Sequence, residues 1–130
     1  MAAVNRDQFL NPVALKIEEI WVPELGGVIY IKGMSAAGRA KFERQFELKS
    51  GSKNLRKIRE LRERLIVAVV CDKDGAKLFT EADVEQIGQQ PIPMIERIVK
   101  KAEELCGFTI DSVDDMADAA KNSEETPDDS

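Results

Sequence analysis

Residues 16–32 alternate apolar and polar positions with the period of a β-strand. Ile20 and Val22 fall on one side of this pattern and Trp21 falls on the other. The sequence Pro-Glu-Leu-Gly-Gly at residues 23–27 is typical of a turn, and the β-branched residues after it favour a return strand. The pattern predicts a β-hairpin over residues 16–33, which must pack on helices or on a further strand to be stable.

Beyond the hairpin, apolar residues recur at the three- and four-residue steps of α-helices. Ser35 can cap a helix running to about Leu48, and Phe42 and Phe46 lie one turn apart on its apolar side. A second stripe predicts an unbroken helix over residues 55–71. Its second half is apolar on all sides, so we expect it to be the most buried segment. A buried strand is the alternative there, because Val-rich runs favour β-structure.

The middle of the chain carries clear signals for turns and helix starts. Residues 72–75, Asp-Lys-Asp-Gly, predict a tight turn, and residues 77–79 are compatible with a short strand. Thr80 and Asp83 have the spacing of a capping box that opens a short helix ending at Gly88.

The last part of the pattern predicts a long amphipathic helix, a short helix and a tail. Pro91 is suited to begin the long helix, and Gly107 is suited to end it. A short helix is predicted from about residue 111 to 120. Residues 121–130 are acidic and include no apolar residue after Asn122, so they are expected to be disordered.

These elements predict an α+β, mostly helical protein in which an N-terminal hairpin packs on four to five helices. Residues 1–15 are expected to form a loose lead-in, and residues 16–120 a single globular domain with its helices over residues 35–120. The expected core positions are Leu61, Leu65, Val69, Phe79, Val84, Ile95, Val99 and Leu105.

Composition argues against an enzyme or a metal protein. The 130 residues include no histidine, so histidine-based acid–base and nucleophilic chemistry is excluded. No glycine-rich phosphate-binding motif occurs. Cys71 and Cys106 lack metal-site spacing and are expected to be buried, reduced thiols. We therefore expect no cofactor. No apolar run suits a signal peptide or a membrane span, which leads us to expect a cytoplasmic protein.

Charge is distributed unevenly along the chain. The formal net charge is −5, but residues 1–64 are net positive and residues 65–130 are strongly negative. This asymmetry is compatible with self-association, with two different partners, or simply with two solvated faces. The basic segment 49–64 could contact nucleic acid, but it has no interleaved aromatic residue and its spacing suits a solvated helix face.

Hydrophobic residues near the hairpin are the candidates for protein binding. Trp21, Leu25 and Tyr30 lie on or beside it, and hairpin edges with aromatic residues are common contact sites. Phe42 and Phe46 extend this candidate site onto the following helix. The alternative for Trp21 is that it covers the core.

The order of these elements resembles a known protein family. The matching features are the Leu-Gly-Gly hairpin turn, the segment from Tyr30 to Ser35, the apolar end of the 55–71 segment, and the Asp-Gly turn that leads into Leu-Phe-Thr. The stretch Lys-Asn-Ser-Glu-Glu-Thr-Pro at residues 121–127 matches as well. Together these features resemble the tail assembly chaperones of long-tailed bacteriophages and prophages.

The resemblance implies a morphogenesis factor without enzymatic activity. Such proteins bind the tape-measure protein, keep it soluble and help tail-tube subunits polymerise around it. It also implies that this chain is the short form of a product that ribosomal frameshifting can extend. Two other functions stay open, namely a structural tail or connector protein of the virion, and a nucleic-acid-binding regulator that uses residues 49–64.

Overall fold

The computed structural model describes residues 1–111 of the chain. The tail predicted over residues 121–130 lies outside the described residues, as does the helix predicted over about 111–120 except for its first residue. The described α-helices are α1 (Arg6–Leu10), α2 (Ala36–Arg44), α3 (Leu55–Arg59), α4 (Leu61–Val69), α5 (Val84–Ile87) and α6 (Ile92–Cys106), and a 3₁₀ turn spans Glu81–Asp83. The predicted α+β, mostly helical class is confirmed.

The N-terminal hairpin is confirmed, and its register fixes which side chains share a face. Strands β1 (Ile17–Val22) and β2 (Gly27–Lys32) pair in antiparallel fashion, with Ile20 opposite Ile29 and Trp21 opposite Val28. Because side chains alternate along a strand, one face of the hairpin carries Ile20 and Ile29 toward the core and the other carries Trp21 and Val28.

A third strand joins the hairpin where the sequence predicts the end of a helix. Helix α4 ends at Val69, and β3 (Val70–Cys71) pairs antiparallel to β2, so the sheet order is β1-β2-β3. The prediction of a helix reaching Cys71 is therefore wrong at its last two residues. The backbone of Tyr30 and Ile31 in β2 pairs with Cys71 and Val70. This pairing provides hydrogen-bond partners for backbone groups at an otherwise open edge of the hairpin, and valine favours β-structure.

The N-terminal lead-in contains a short helix held by local hydrogen bonds. The Asn5 side chain accepts from the backbone N–H of Gln8 at 2.9 Å, and the Gln8 side chain accepts from the N–H of Asn5 at 3.0 Å. These two bonds form a capping box for α1. No residue of α1 is buried, so it makes no contribution to the described core.

Two of the predicted helix boundaries differ from the structure. Helix α2 ends at Arg44, before the predicted Leu48, because the chain folds back on itself and the N–H of Asn54 donates to the carbonyl of Phe46 at 2.6 Å. The predicted helix over residues 55–71 is also interrupted. The N–H of Glu60 donates to the carbonyl three residues earlier, at 3.0 Å, which is a tighter turn than an α-helix makes and separates α3 from α4.

The predicted helix caps are present. Ser35 Oγ accepts from the N–H of Gly38 at 3.0 Å, and the N–H of Thr80 donates to the Asp83 carboxylate at 2.8 Å. Gly107 has a φ of 76°, a left-handed conformation that ends α6 and that glycine adopts without a Cβ penalty. These signals are local, which is why the sequence is sufficient to place them.

The core lies between the sheet and the pair α4 and α6. Six of the eight predicted core side chains are buried, and Phe79 and Leu105 are partly buried against the same cluster. Leu65 has no exposed surface, in keeping with its place at the centre of the most buried helix. The core thus holds the hairpin and the helices in one unit and leaves two apolar surfaces at its edge.

Candidate protein-binding surfaces

Helix α6 holds the hairpin in place through two ion pairs. Arg97 Nη1 lies 2.6 Å from Glu24 Oε1 in the hairpin loop, and Lys101 Nζ lies 3.1 Å from Glu18 Oε2 in β1. The hydrogen bond from Arg97 lowers the pKa of Glu24, and the bond to Glu18 raises the pKa of Lys101. A lowered pKa favours the charged form of Glu24, and a raised pKa favours the charged form of Lys101. Both ion pairs are therefore present near neutral pH, and the pair between Glu24 and Arg97 holds the hairpin loop over α6.

The outer sheet face, which we define by Trp21, Val28 and Tyr30, turns away from the core. Trp21 is 59% exposed and Val28, directly opposite it, is 46% exposed. Tyr30 is partly buried and lies on the same face. Trp21 therefore does not cover the core, which was the alternative interpretation of this residue. A lone exposed apolar residue is ordinary, but adjacent exposed ones form a patch that can contact a partner.

A second surface is a groove between the hairpin loop, β2, α5 and α6. Its volume is about 270 Å³. Its lining is mostly apolar, so it suits apolar side-chain anchors of a protein partner. We call it the apolar groove; its apolar lining includes Leu25, Ile29, Leu78, Phe79, Ile87 and Met94.

Two residues of the apolar groove are open to solvent. Leu25 is 54% exposed and Leu78 is 53% exposed, so both have surface left to bury against a partner. The described polar lining consists of Asp83, Gln86 and Gln90, and Asp83 is already bonded to the N–H of Thr80. The groove can therefore bind an apolar stripe flanked by polar groups, which is the surface of an amphipathic helix.

The structure does not bring all five candidate residues together. Leu25 lines the apolar groove, whereas Trp21 and Tyr30 lie on the outer sheet face. Phe42 and Phe46 are buried in the core, with ring centroids 5.3 Å apart in an edge-to-face arrangement. Their spacing indicated an apolar contact, and in the folded chain that contact is with the core.

Two exposed residues are absent from the candidates that the sequence predicts. Val28 lies beside Trp21 only because of the strand register, and Leu78 lies beside Leu25 only because the segment after β3 returns to the hairpin loop. The alternation of β2 is a local signal for Val28. No local signal identifies Leu78, since its position depends on tertiary packing.

Four of the seven cations in the basic segment 49–64 pair with carboxylates among the described residues. Arg62 Nε lies 2.7 Å from Glu96 Oε1, and Lys57 and Arg64 both pair with Glu81. Each cation that is paired within the protein is less available to phosphates. This favours the interpretation of the segment as a solvated and internally paired surface.

Among the described residues, potential metal ligands and thiols are groups that could support chemistry at a site. No group of three or more potential metal ligands is found among residues 1–111. Both cysteines are free thiols, and burial raises the pKa of Cys71 and of Cys106. A raised pKa keeps these thiols protonated and weakly nucleophilic at neutral pH.

The sequence matches the family model for the phage tail assembly chaperone over residues 7–122. The chain belongs to this family. Among solved structures, the chaperone fold is similar to the tail assembly chaperone of bacteriophage HK97, with a TM-score of 0.51 and 20% identity over 70% of this chain and 85% of the other. No curated protein has a sequence that matches this tail assembly chaperone. None of its described helices is long and apolar enough to cross a membrane.

Proposed function

We propose that this member of the tail assembly chaperone family binds the tape-measure protein of its phage, keeps it soluble and assists tail-tube assembly in the cytoplasm of the host. The observation that supports this most directly is the apolar groove, with Leu25 and Leu78 about half exposed beside it. A long helical partner that would otherwise aggregate can shield its apolar side chains in such a groove.

The shape and chemistry of the groove favour a helix as the ligand. Helix-in-groove binding uses apolar side chains at successive turns as anchors, and the groove offers aliphatic walls with uncharged amides of Gln86 and Gln90 beside them. Met94 in the wall supplies an unbranched, adaptable side chain, which helps one groove accept anchors of different shape. Adaptability matters because a long tape-measure protein presents many non-identical helical segments.

The proposed role requires no catalysis. The sequence has no histidine to act as a base, and burial favours the protonated form of both thiols, so neither cysteine is an activated nucleophile. Binding by apolar burial is instead expected to depend weakly on salt. The tail-tube protein is a further proposed partner, because the family resemblance implies that tube subunits polymerise around the tape-measure protein.

Co-expression with the tape-measure protein encoded beside this chain tests the proposal. We expect the tape-measure protein to move from the insoluble to the soluble fraction and to co-purify with the chaperone. Purified virions should lack the chaperone, whereas a structural tail or connector protein would be retained in them. Insoluble tape-measure protein in the presence of folded chaperone, together with DNA binding that falls steeply with salt, would instead favour the nucleic-acid-binding regulator.

A further inference from the structure

A second cavity, of different chemistry, lies between β2, α2 and α4. Its volume is about 480 Å³. It is separate from the apolar groove: Arg64, Val67 and Ala68 of α4 line this cavity, whereas Ile66 and Val70 line the groove. We call it the basic pocket and define it by Lys32, Lys41, Gln45, Arg64, Lys77 and Glu81.

Arg64 is a buried cation with incomplete hydrogen bonding. It is 6% exposed, and its Nη atoms donate to Gln45 at 3.2 Å, Glu81 at 3.1 Å and Glu60 at 3.1 Å. Its Nε–H has no acceptor within residues 1–111. A buried donor of a charged group that lacks an acceptor is costly, so an oxygen from outside residues 1–111 that accepts this bond would stabilise the site.

The charge of the basic pocket is positive in an otherwise acidic protein. Lys32, Lys41 and Lys77 line it, and none of the ion pairs formed within the described part of the chain involves them. Glu81 is the acidic residue of the described lining, and its carboxylate is already bonded to Arg64. The pocket is therefore short of negative charge, and carboxylate is the protein group that complements both lysine and arginine.

We propose that the basic pocket binds the carboxylates of the acidic segment 124–129 of the same chain. This segment, Glu-Glu-Thr-Pro-Asp-Asp, has four carboxylates and no basic residue. Phe108, near the end of the described chain, packs against Phe42 with ring centroids 6.2 Å apart, and Phe42 lines the same cavity. Phe108, three residues before the end of the described chain, therefore contacts a residue of the pocket wall.

The connection is long enough for binding within one chain. Asp111 and Glu124 are thirteen residue steps apart, and an extended chain spans about 3.3–3.6 Å per residue. That reach is about 45 Å, which exceeds the dimensions expected of a domain of this size. A tethered segment also has a high effective concentration, which favours it over a free acidic peptide. Because the pocket and the apolar groove use different faces of α4, this inference does not rest on the proposed function.

The Arg64 Nε–H resonance gives a direct test in the full-length protein. We compare ¹H–¹⁵N spectra of the wild-type chain with those of a neutralised variant carrying Glu124→Gln, Glu125→Gln, Asp128→Asn and Asp129→Asn. We expect this resonance to shift when the carboxylates are removed, and raised salt to move the wild-type resonance the same way. A resonance that is identical in the two proteins overturns the proposal.

Carbodiimide cross-linking identifies the partner groups, because it joins a carboxylate to an amine only when they touch. We expect cross-links from segment 124–129 to Lys41 and Lys77. The yield of these cross-links should fall at least about fivefold in high salt, because salt screens the ion pairs that would hold the segment in place. Lys100→Gln, at an exposed position of α6, is the matched control for the double variant that carries Lys41→Gln and Lys77→Gln. The double variant should reproduce the Arg64 shift and Lys100→Gln should not, with thermal melts verifying the fold of each.

Mixing ¹⁴N- and ¹⁵N-labelled chains separates binding within a chain from binding between chains. Cross-linked peptides whose two halves carry the same nitrogen isotope support the proposal, because they join segments of one chain. Peptides that join the two isotopes, or cross-links spread evenly over all exposed lysines, contradict it.

Discussion

Leu78→Ala is the sharpest test of the apolar groove as a binding surface. The substitution removes three carbon atoms from a side chain that lines the groove and is 53% exposed in the free protein. At about 0.8 kcal/mol for each buried carbon group, the lost transfer free energy is about 2.4 kcal/mol when the side chain is fully buried.

The exposure divides this free energy between folding and binding. About 47% of it, or roughly 1.1 kcal/mol, is already realised in the folded chain, and the remaining 1.3 kcal/mol or so becomes available when a partner covers the side chain. We therefore expect Leu78→Ala to remain folded, with a modest loss in the free energy of unfolding, and to bind a tape-measure segment about tenfold more weakly.

Titration calorimetry with a tape-measure segment, alongside urea unfolding of each variant, measures the two quantities separately. Leu48→Ala is the matched control, because Leu48 is 45% exposed and lies outside the described groove lining. The control should bind as the wild type does. The predicted loss of about 1.3 kcal/mol corresponds to a roughly tenfold weaker affinity. If folded Leu78→Ala instead binds within about twofold of the wild type, the apolar groove is not the site.

Three further predictions concern the outer sheet face, the core and the buried thiols. Trp21→Ala and Tyr30→Ala should each weaken binding of a tape-measure segment by about 2 kcal/mol if the outer sheet face is central to the interface; calorimetry on variants with cooperative melts decides this, and normal binding by both excludes that face. Leu65→Ala should lower the free energy of unfolding by about 2–5 kcal/mol, because the side chain has no exposed surface and would leave a cavity; a loss below about 0.5 kcal/mol would contradict the described core. Burial raises the pKa of Cys71 and Cys106 in the folded state. Their contribution to the free energy of unfolding is therefore complete below the unfolded pKa of about 8.5. That contribution is lost as pH rises above this value toward the pKa of the folded state, because the unfolded thiols ionise first. Urea unfolding at neutral and alkaline pH should reveal this loss, and it should shrink in Cys71→Ala.

The candidate site was only partly predictable, for a reason that the five candidate residues make clear. Strand alternation, which is local, placed Trp21 on the other strand face from Ile20 and Val22, but it left open whether Trp21 covers the core. Phe42 lies on α2 and Phe46 lies just beyond its end, and periodicity does not distinguish an apolar face that meets the core from one that meets a partner. Leu78 has no local signature at all, because it joins Leu25 through contacts distant in sequence.

Family membership was accessible from the sequence because it depends on the order of many local features. The binding partner is not determined in the same way, since a motif specifies how the chain turns or caps and leaves open which exposed surface is used. The tape-measure protein therefore remains the proposed partner, and the two apolar surfaces are the places to test it.

The sequence by itself determined the features that depend on neighbouring residues. The cap at Ser35, the box at Thr80 and the glycine end of α6 each need only contacts within a few positions, and the hairpin is indicated by strand alternation on both sides of a short turn. Tertiary structure decided the rest. Val70 and Cys71 became a strand because β2 offered them an open edge, and Arg64 became a buried cation because α2 and the 3₁₀ turn brought Gln45 and Glu81 to it. Hydrogen-bond partners from distant parts of the chain outweigh local propensity wherever a backbone or a charge would otherwise be buried unsatisfied.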